Sequence, residues 1–210
     1  MNESPALTRF GVLRHAPTVW NLEKRIQGQL NSPLTGEGER MAREWGRLLR
    51  RYAWDRILVS DLGRTLRTAE LINRTLGLPM TVDPRLREKD WGEWAGKTID
   101  QLRQQAGDRL AAMERDGWRF RPPGGEDRTE VWSRGHQALV DAAARWPGRK
   151  ILVVTHEGMI KCLVYRLTNR HFFPTEPPLL RRGHLHQLVH DREGMAVEAL
   201  NVLALWIDTP

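Results

Sequence analysis

The aliphatic run at residues 151–154 narrows the choice of folds more than any other segment of this sequence. Uninterrupted runs rich in valine, leucine and isoleucine are typical of strands buried on both faces, which occur in parallel sheets covered by helices. His156 follows the run almost at once, and a helical apolar pattern begins after Gly158. The segment therefore predicts a central parallel strand with a histidine at its carboxyl end.

Two earlier apolar runs share this arrangement. Residues 11–13 end a short strand that leads into Arg14 and His15, and residues 57–60 form a strand followed by a helix whose first turn contains Arg64. Ligands of open α/β sheets bind at the carboxyl ends of parallel strands. We therefore expect these polar residues to surround one point.

Strands alternate with helices along the chain, which predicts an α/β fold: a three-layer α/β/α sandwich around a mostly parallel sheet. A chain of 210 residues suits one domain, so we expect residues 1–210 to form a single unit. Residues 85–125 differ, because glycines, tryptophans and charges dominate and helical periodicity is modest. They predict a lid-like excursion over the sheet. Two further strands, at 184–189 and 195–206, are expected at a sheet edge.

The charge balance raises the question of nucleic acid binding. The chain has 33 Lys and Arg against 26 Asp and Glu, a formal net charge of +7, together with nine tryptophans. The basic residues, however, are scattered along predicted helices and are typical of solvated faces. We predict no nucleic-acid partner, and expect the positive field to favour small phosphorylated substrates instead.

Other features bear on the compartment. No apolar stretch approaches the length of a membrane helix, so no membrane association is expected. The first residues lack the basic and apolar regions of a signal peptide. The single cysteine, Cys162, excludes an internal disulfide and is expected to be a buried, inert thiol. These observations favour the cytoplasm, and they leave oligomeric state open, a homodimer included.

The pair Arg14-His15 suggests chemistry at phosphorus. A neutral imidazole is a competent nucleophile, and a neighbouring guanidinium disfavours the imidazolium form. The same guanidinium can hold a phosphoryl group with two parallel hydrogen bonds. We expect His15 to attack phosphorus, while Arg14, Arg64 and His156 hold the phosphoryl oxygens and favour the charge of the transition state.

Several motifs, in order, resemble the histidine phosphatase superfamily, in its phosphoglycerate-mutase-like branch and its small phosphatase type. The segments that carry the resemblance lie at residues 14–21, 25–28, 32–36, 60–65, 86–92 and 153–158. The resemblance implies the same fold, with an antiparallel edge strand. It also implies that Glu88 is the general acid, later the base that activates water against phosphohistidine. Further phosphate contacts are implied for Asn21, Gln27 and Gly28, with Thr18 less certain.

These residues predict a metal-independent phosphomonoesterase with no cofactor, acting on small phosphorylated metabolites through a phosphohistidine on His15. A phosphoglycerate mutase using the same phosphohistidine is the alternative, although mutases of this kind generally carry a longer insertion over the site. Two alternatives belong to other functional classes. One is a protein with a zinc site. The other is a non-catalytic binding protein, which the complete set of site residues argues against. The zinc ligands would be His184, His186 and His190.

Some positions stay open at this point. Four tryptophans are expected to wall the pocket for the leaving group, although each is equally suited to ordinary packing: Trp20, Trp91, Trp94 and Trp118. Ala16 stands where glycine is frequent in the family, a small change beside the nucleophile. Asp127 replaces a usual serine and Glu157 a frequent glycine, so the roles of these two carboxylates are undecided.

Overall fold

A computed structural model describes residues 7–206 as a six-stranded sheet covered by helices. The strands are β1 (Thr8–Arg14), β2 (Arg56–Val59), β3 (Met80–Val82), β4 (Lys150–Thr155), β5 (His184–Asp191) and β6 (Gly194–Ala204). The helices are α1 (Val19–Leu22), α2 (Gly36–Leu49), α3 (Gly63–Leu76), α4 (Ile99–Arg115), α5 (Arg128–Arg145) and α6 (Glu157–Leu167). No helix within residues 7–206 has the length and apolar character needed to cross a bilayer.

The sheet has the strand order β3-β2-β4-β1-β5-β6. The pairs β2–β3, β2–β4 and β1–β4 are parallel, whereas β1–β5 and β5–β6 are antiparallel. The predicted α/β class, with a mostly parallel sheet and antiparallel pairing at one edge, is confirmed. The strand β1 lies between β4 and β5, so the segment that carries Arg14 and His15 emerges near the middle of the sheet.

The two faces of the sheet form two cores because side chains alternate along each strand. Phe10 and Val12 of β1 belong to the core under α5 and α6, whereas Leu13 belongs to the core under α2 and α3. Gly11 shares this second face and has no room for a side chain, since a Cβ there would lie 2.1 Å from the Trp54 ring. Trp54 therefore fills the space beside β1 that a larger residue would occupy.

Helix α5 begins at an aspartate that serves as its N-cap. The Asp127 carboxylate accepts hydrogen bonds from the backbone N–H of Thr129 and Glu130, and the Glu130 side chain accepts one from the Asp127 N–H. Aspartate and serine are both strong N-cap residues. The replacement of the usual serine by Asp127 thus keeps the helix start intact.

The excursion at 85–125 contains more regular structure than its sequence suggests. Helix α4 occupies 17 residues of it and begins with a capping box between Thr98 and Gln101. This helix packs on a small core of its own, separate from the two sheet cores. That core consists of Ile26, Trp94, Leu102, Leu110 and Phe120. The excursion is therefore a helical layer beside the carboxyl ends of the strands.

Candidate active site

The carboxyl ends of three neighbouring strands meet, as predicted. Arg14 at the end of β1 pairs with Thr155 at the end of β4, and Val59 of β2 pairs with Val154. A cavity of about 410 Å³ opens beside these ends. Its lining includes most of the predicted site residues: Arg14, His15, Asn21, Gln27, Gly28, Arg64 and Glu88.

His15 lies at the cavity wall and is almost fully buried, with 2% of its surface exposed. Its Nδ1 lies 2.8 Å from the carbonyl oxygen of Ala16. A carbonyl can only accept, so Nδ1 carries the proton of the neutral ring and Nε2 keeps its lone pair. Burial, with the positive charges of Arg14 and Arg64, places the pKa of His15 well below its usual value. The ring is therefore neutral at physiological pH.

Arg64 is held rigidly although it is a long charged side chain. One Nη donates to the carbonyl of Gly28 and the other to that of Leu30, each at 2.7 Å. Its Nε is buried and has no hydrogen-bond partner within residues 7–206. Burial lowers the pKa of Arg64 to about 10, which leaves it charged at neutral pH. Arg64 thus presents a fixed positive charge beside His15.

Replacing Arg64 with lysine is expected to reduce turnover roughly a hundredfold or more, because a single ammonium cannot reproduce the fixed guanidinium plane. Steady-state kinetics on a small phosphomonoester measures this loss. Arg74→Lys, an exposed position on the same helix, is the matched control and should retain wild-type turnover. A loss below threefold in Arg64→Lys would contradict the role given to this side chain.

Arg14 sits between a carboxylate and an indole. Its Nη1 lies 3.5 Å from Oε2 of Glu157, and its guanidinium lies 5.8 Å from the centre of the Trp206 ring. Glu157 also pairs with Lys161 at 3.3 Å, and these cations contribute to lowering its pKa. The Nε of Arg14 is buried, and no described residue accepts a hydrogen bond from it. Glu157, whose role the sequence left undecided, is thus an ionised neighbour of Arg14 at the cavity.

His156 lies behind His15 rather than on the cavity lining. The two rings are 5.4 Å apart, and His156 is fully buried. Its Nε2 lies 2.9 Å from Oγ of Ser60, which also accepts from the N–H of Leu62 at 3.5 Å. When Ser60 donates its hydroxyl proton to Nε2, the His156 proton is on Nδ1, a buried nitrogen that has no partner in the part of the chain that the structure describes. Burial and nearby Arg64 put the pKa of His156 well below its usual value.

Glu88 reaches the cavity from the start of the excursion. Its Oε1 accepts from the N–H of Lys89 at 2.8 Å, and its Oε2 accepts from the N–H of Gly158 at 3.1 Å. A Cβ at Gly158 would lie 2.3 Å from Oε1, so only glycine leaves room for the carboxylate. The first turn of α6 therefore fixes the position of Glu88.

The remaining predicted phosphate ligands form one side of the cavity. Gln27 donates from Nε2 to Oγ1 of Thr18 at 2.8 Å, and its Oε1 is buried without a partner among the described residues. Rotation of the Gln27 amide by half a turn exchanges its oxygen and nitrogen. The Thr18 hydroxyl then donates to the amide oxygen, and the N–H₂ group is free to bind a ligand. Asn21 accepts from the Thr18 N–H, and Gly28 has a left-handed backbone with φ of 52°. Thr18 thus supports two of these residues from behind.

The outer part of the cavity comes mostly from residues to which the sequence analysis gave no role. Of the four tryptophans considered, only Trp91 lines the cavity; Trp94 belongs to the core of the excursion, and Trp118 packs against Phe172. Aromatic and charged residues complete the wall. They are Phe120, Tyr165, Phe172, Phe173, Arg25, Lys89, Arg128, Lys161 and Glu176. Arg25 and Lys89 lie in the motif segments at 25–28 and 86–92. No local motif marks the others, because they come from distant segments.

Comparison with known proteins decides the family. A family model described as the histidine phosphatase superfamily, branch 1, matches residues 11–203. The chain belongs to this superfamily. A protein named "Probable phosphoglycerate mutase GpmB" from Salmonella choleraesuis (strain SC-B67) is 40% identical over 162 residues, covering 73% of this chain and 71% of that protein.

Solved structures support the same assignment. Bacillus stearothermophilus YhfR superposes with a TM-score of 0.85 at 29% identity, covering 94% of this chain and 98% of that chain. A mycobacterial glucosyl-3-phosphoglycerate phosphatase, whose structure contains VO3, superposes with a TM-score of 0.81 at 28% identity, covering 93% and 99%. The chain is an enzyme of the phosphatase class.

The three histidines considered for zinc lie on β5 of this histidine phosphatase, away from the cavity lining. Nδ1 of His186 accepts a hydrogen bond from the N–H of Asn201 at 3.2 Å, and Nδ1 of His184 lies 3.0 Å from the carbonyl of Arg182. Within residues 7–206, no group of three or more His, Cys, Asp or Glu side chains is arranged to hold a metal ion. His186 is instead a buried neutral histidine of the sheet edge.

His186 should make folding of this phosphatase sensitive to acid. Burial lowers its pKa to about 4, whereas the unfolded chain titrates near 6.5. The unfolded state therefore binds the extra proton between these values, and stability falls as the pH drops. We expect this residue to account for a loss of about 3 kcal/mol in the free energy of unfolding between pH 6.5 and pH 4.

Urea unfolding of wild type and His186→Asn across this pH range measures the effect. Asparagine can still accept the Asn201 N–H but does not titrate, so its stability should depend less steeply on pH. The difference in slope should approach one proton. Identical slopes would show that His186 does not couple protonation to folding. His190→Asn, on the same strand and less buried, is the control.

Proposed function

We propose that this protein hydrolyses phosphomonoesters of small metabolites, without a metal ion, through a phosphohistidine on His15. One observation carries the proposal: His15 is neutral, its Nε2 has no hydrogen bond to any residue that the structure describes, and it lies at the wall of a cavity that also contains Arg14 and Arg64. A neutral imidazole between fixed guanidinium groups suits in-line attack on a phosphoryl dianion.

In the first step, Nε2 of His15 forms a bond to phosphorus and the bond from phosphorus to the ester oxygen breaks. Protonated Glu88 gives its proton to the departing oxygen, so that an alcohol leaves. Arg14 and Arg64, which both line the cavity, neutralise the charge on the phosphoryl oxygens. The carbonyl of Ala16 stabilises the ring as it becomes positive, since it accepts from Nδ1.

In the second step, water attacks the phosphohistidine from the side that the alcohol has left. The Glu88 carboxylate takes a proton from this water, the nitrogen–phosphorus bond breaks, and Nε2 recovers its lone pair. Inorganic phosphate then leaves, and Glu88 is protonated for another cycle. The backbone N–H groups of Lys89 and Gly158 hold the carboxylate in one place through both steps.

A phosphoglycerate mutase is the second candidate. The observation that favours it is the 40% identity to proteins named as probable phosphoglycerate mutases. A mutase uses the same phosphohistidine but returns the phosphoryl group to another hydroxyl before water attacks. The phosphatase name of the mycobacterial neighbour supports hydrolysis. The two activities differ in the acceptor of the phosphoryl group.

Release of inorganic phosphate from a panel of small phosphomonoesters, measured with and without EDTA, tests the proposal. We expect release that EDTA does not reduce, and little interconversion of 2- and 3-phosphoglycerate in a parallel assay. Interconversion that is much faster than release would favour the mutase. Loss of release in EDTA, or no release from any substrate, would overturn the proposal.

The other expectations from the sequence belong to this proposal. We propose a small phosphorylated substrate as the ligand, with neither nucleic acid nor membrane as a partner, and a cytoplasmic location. A homodimer stays open as the oligomeric state. Sedimentation of the purified protein, with and without a single-stranded oligonucleotide, tests the assembly and the absence of nucleic-acid binding together.

A further inference from the structure

Two cations in the outer part of the cavity, one buried and one half-buried, form no ion pair with a carboxylate among the residues that the structure describes. Lys89 is only 4% exposed, and its Nζ donates to the carbonyl of Phe120 at 2.9 Å. Arg128 donates from Nη1 to the carbonyl of Gly117 at 2.6 Å. Both line the cavity, and neither forms an ion pair with any of the side chains that the structure describes.

Aromatic faces surround these cations instead of anions. Nζ of Lys89 lies 4.0 Å from the centre of the Phe120 ring and 5.0 Å from that of Trp91. The Arg128 guanidinium lies 4.5 Å from the centre of the same Phe120 ring and 4.3 Å from that of Phe172. Phe120 thus brings the two positive charges to one place.

Keeping two cations close together and largely out of water costs free energy unless a negative charge compensates for them. Removing a cation from water is expensive, and a cation–π contact recovers only part of the loss. Two like charges near one ring add repulsion, and Arg128 contributes to lowering the pKa of Lys89 to about 7, although burial is the main cause. The nearest part of the catalytic machinery is Glu88, the neighbour of Lys89 in the chain. An anion placed here would belong to the group that leaves when the ester bond breaks.

We propose that Lys89 and Arg128 form a subsite for a second anionic group, a carboxylate or a phosphate, carried by the leaving group of the substrate. This inference rests on the phosphatase activity proposed above and names its substrate class. Such a substrate carries the scissile phosphate at one end, toward His15, and its second anion at the other end, between the aromatic rings. The anion supplies the charge that the protein does not, and hydrogen bonds to charged donors make the contact specific.

The pH dependence of this selectivity provides an independent signature. Besides Arg128, the charged groups acting on Lys89 are Glu88, Asp127 and Glu126, and these carboxylates favour its charged form. Burial raises the pKa of the Cys162 thiol to about 12, so this neighbour is neutral in the same pH range. The ammonium is present below a pH of about 7 and is lost above it. The ratio of kcat/KM for a doubly anionic substrate to kcat/KM for its neutral counterpart should therefore decline as pH rises through this value, since kcat/KM reports ionisation of the free enzyme.

Matched substrates test the subsite. The probes are 3-phosphooxypropanoate, its neutral amide and propane-1,3-diyl bisphosphate, which differ in the group at the far end. For wild type we expect kcat/KM for the acid or the bisphosphate to exceed that for the amide by roughly tenfold or more. Comparing kcat/KM for the acid with kcat/KM for the bisphosphate shows whether the subsite prefers a carboxylate or a phosphate. Equal values for all three would overturn the subsite.

Two variants place the effect on these side chains. Lys89→Met and Arg128→Gln should each reduce the ratio of anionic to neutral kcat/KM roughly tenfold, while Lys150→Met, at an exposed position on β4, should leave it unchanged. Thermal unfolding checks that each variant is folded. The ratio of anionic to neutral kcat/KM in the wild type tests the subsite even if a variant fails to fold. An unchanged ratio in both folded variants would overturn the assignment.

Failure of this inference is distinguishable from failure of the proposed function. If wild type hydrolyses the neutral amide and its anionic counterparts equally well, the phosphatase proposal stands and the subsite is wrong. If wild type hydrolyses none of them and none of the broader panel, the phosphatase proposal itself fails.

Discussion

Replacing His15 with asparagine is expected to lower turnover by roughly 10⁴-fold or more, because the reaction then loses its nucleophile. Asparagine fills a similar volume and can donate to the Ala16 carbonyl as Nδ1 does, so the fold should be retained. It has no nitrogen lone pair able to attack phosphorus. Residual activity would report only what the arginines contribute to attack by water.

Two measurements check this result. Steady-state phosphate release gives the loss of turnover, and rapid quenching with a labelled substrate, followed by neutral or alkaline isolation, detects the acid-labile phosphohistidine. The wild type should be labelled and His15→Asn should not. His190→Asn, a histidine outside the cavity lining, should behave as wild type. Turnover within tenfold of wild type in His15→Asn would mean that another group attacks phosphorus.

Replacing Glu88 with glutamine is expected to have an effect that depends on the leaving group. Glutamine cannot transfer a proton, so hydrolysis of an alkyl phosphate should slow by roughly 10²- to 10⁴-fold. Phosphorylation of His15 by p-nitrophenyl phosphate should slow far less, because nitrophenolate leaves without protonation. The second step still needs a base, so phosphohistidine should accumulate in Glu88→Gln with the aryl substrate.

A burst of nitrophenolate followed by slow turnover is therefore the expected signature of this variant. The burst amplitude should approach the enzyme concentration and match the labelled phosphoenzyme. Glu93→Gln, an exposed carboxylate in the same segment, is the control and should show no change. Equal losses on the alkyl and aryl substrates, without a burst, would assign Glu88 to positioning rather than to proton transfer.

The parts of the fold that could be predicted are those where local pattern and burial agree. Residues 151–154 are aliphatic without interruption because β4 lies inside the sheet and is covered on both faces. Helix α4 shows only modest periodicity because its apolar residues are few and face a small core that Phe120 and the distant Ile26 complete. Periodicity within one segment cannot reveal a partner surface that comes from elsewhere.

The same reasoning separates the predictable half of the site from the rest. Arg14 and His15 are recognisable because they follow a strand in a known motif, and the structure brings them together with Arg64 and Glu88. The position of His156 behind the lining depends on its contact with Ser60, and no sequence pattern records that contact. Phe172 reaches the cavity through a loop after α6, where only the folded chain shows what it faces.

The strand order has a consequence for how the protein is made. β1 leads into the nucleophile, and its two neighbours in the sheet are β4 and β5. Arg14 therefore cannot pair with Thr155 until β4 has been synthesised. A chain emerging from the ribosome therefore exposes its first strand without a partner, and closing so long a loop is slow. His15 is among the first site residues to be translated and among the last to be positioned. Incomplete chains, lacking β4, should contain the reactive histidine without the pocket that activates it.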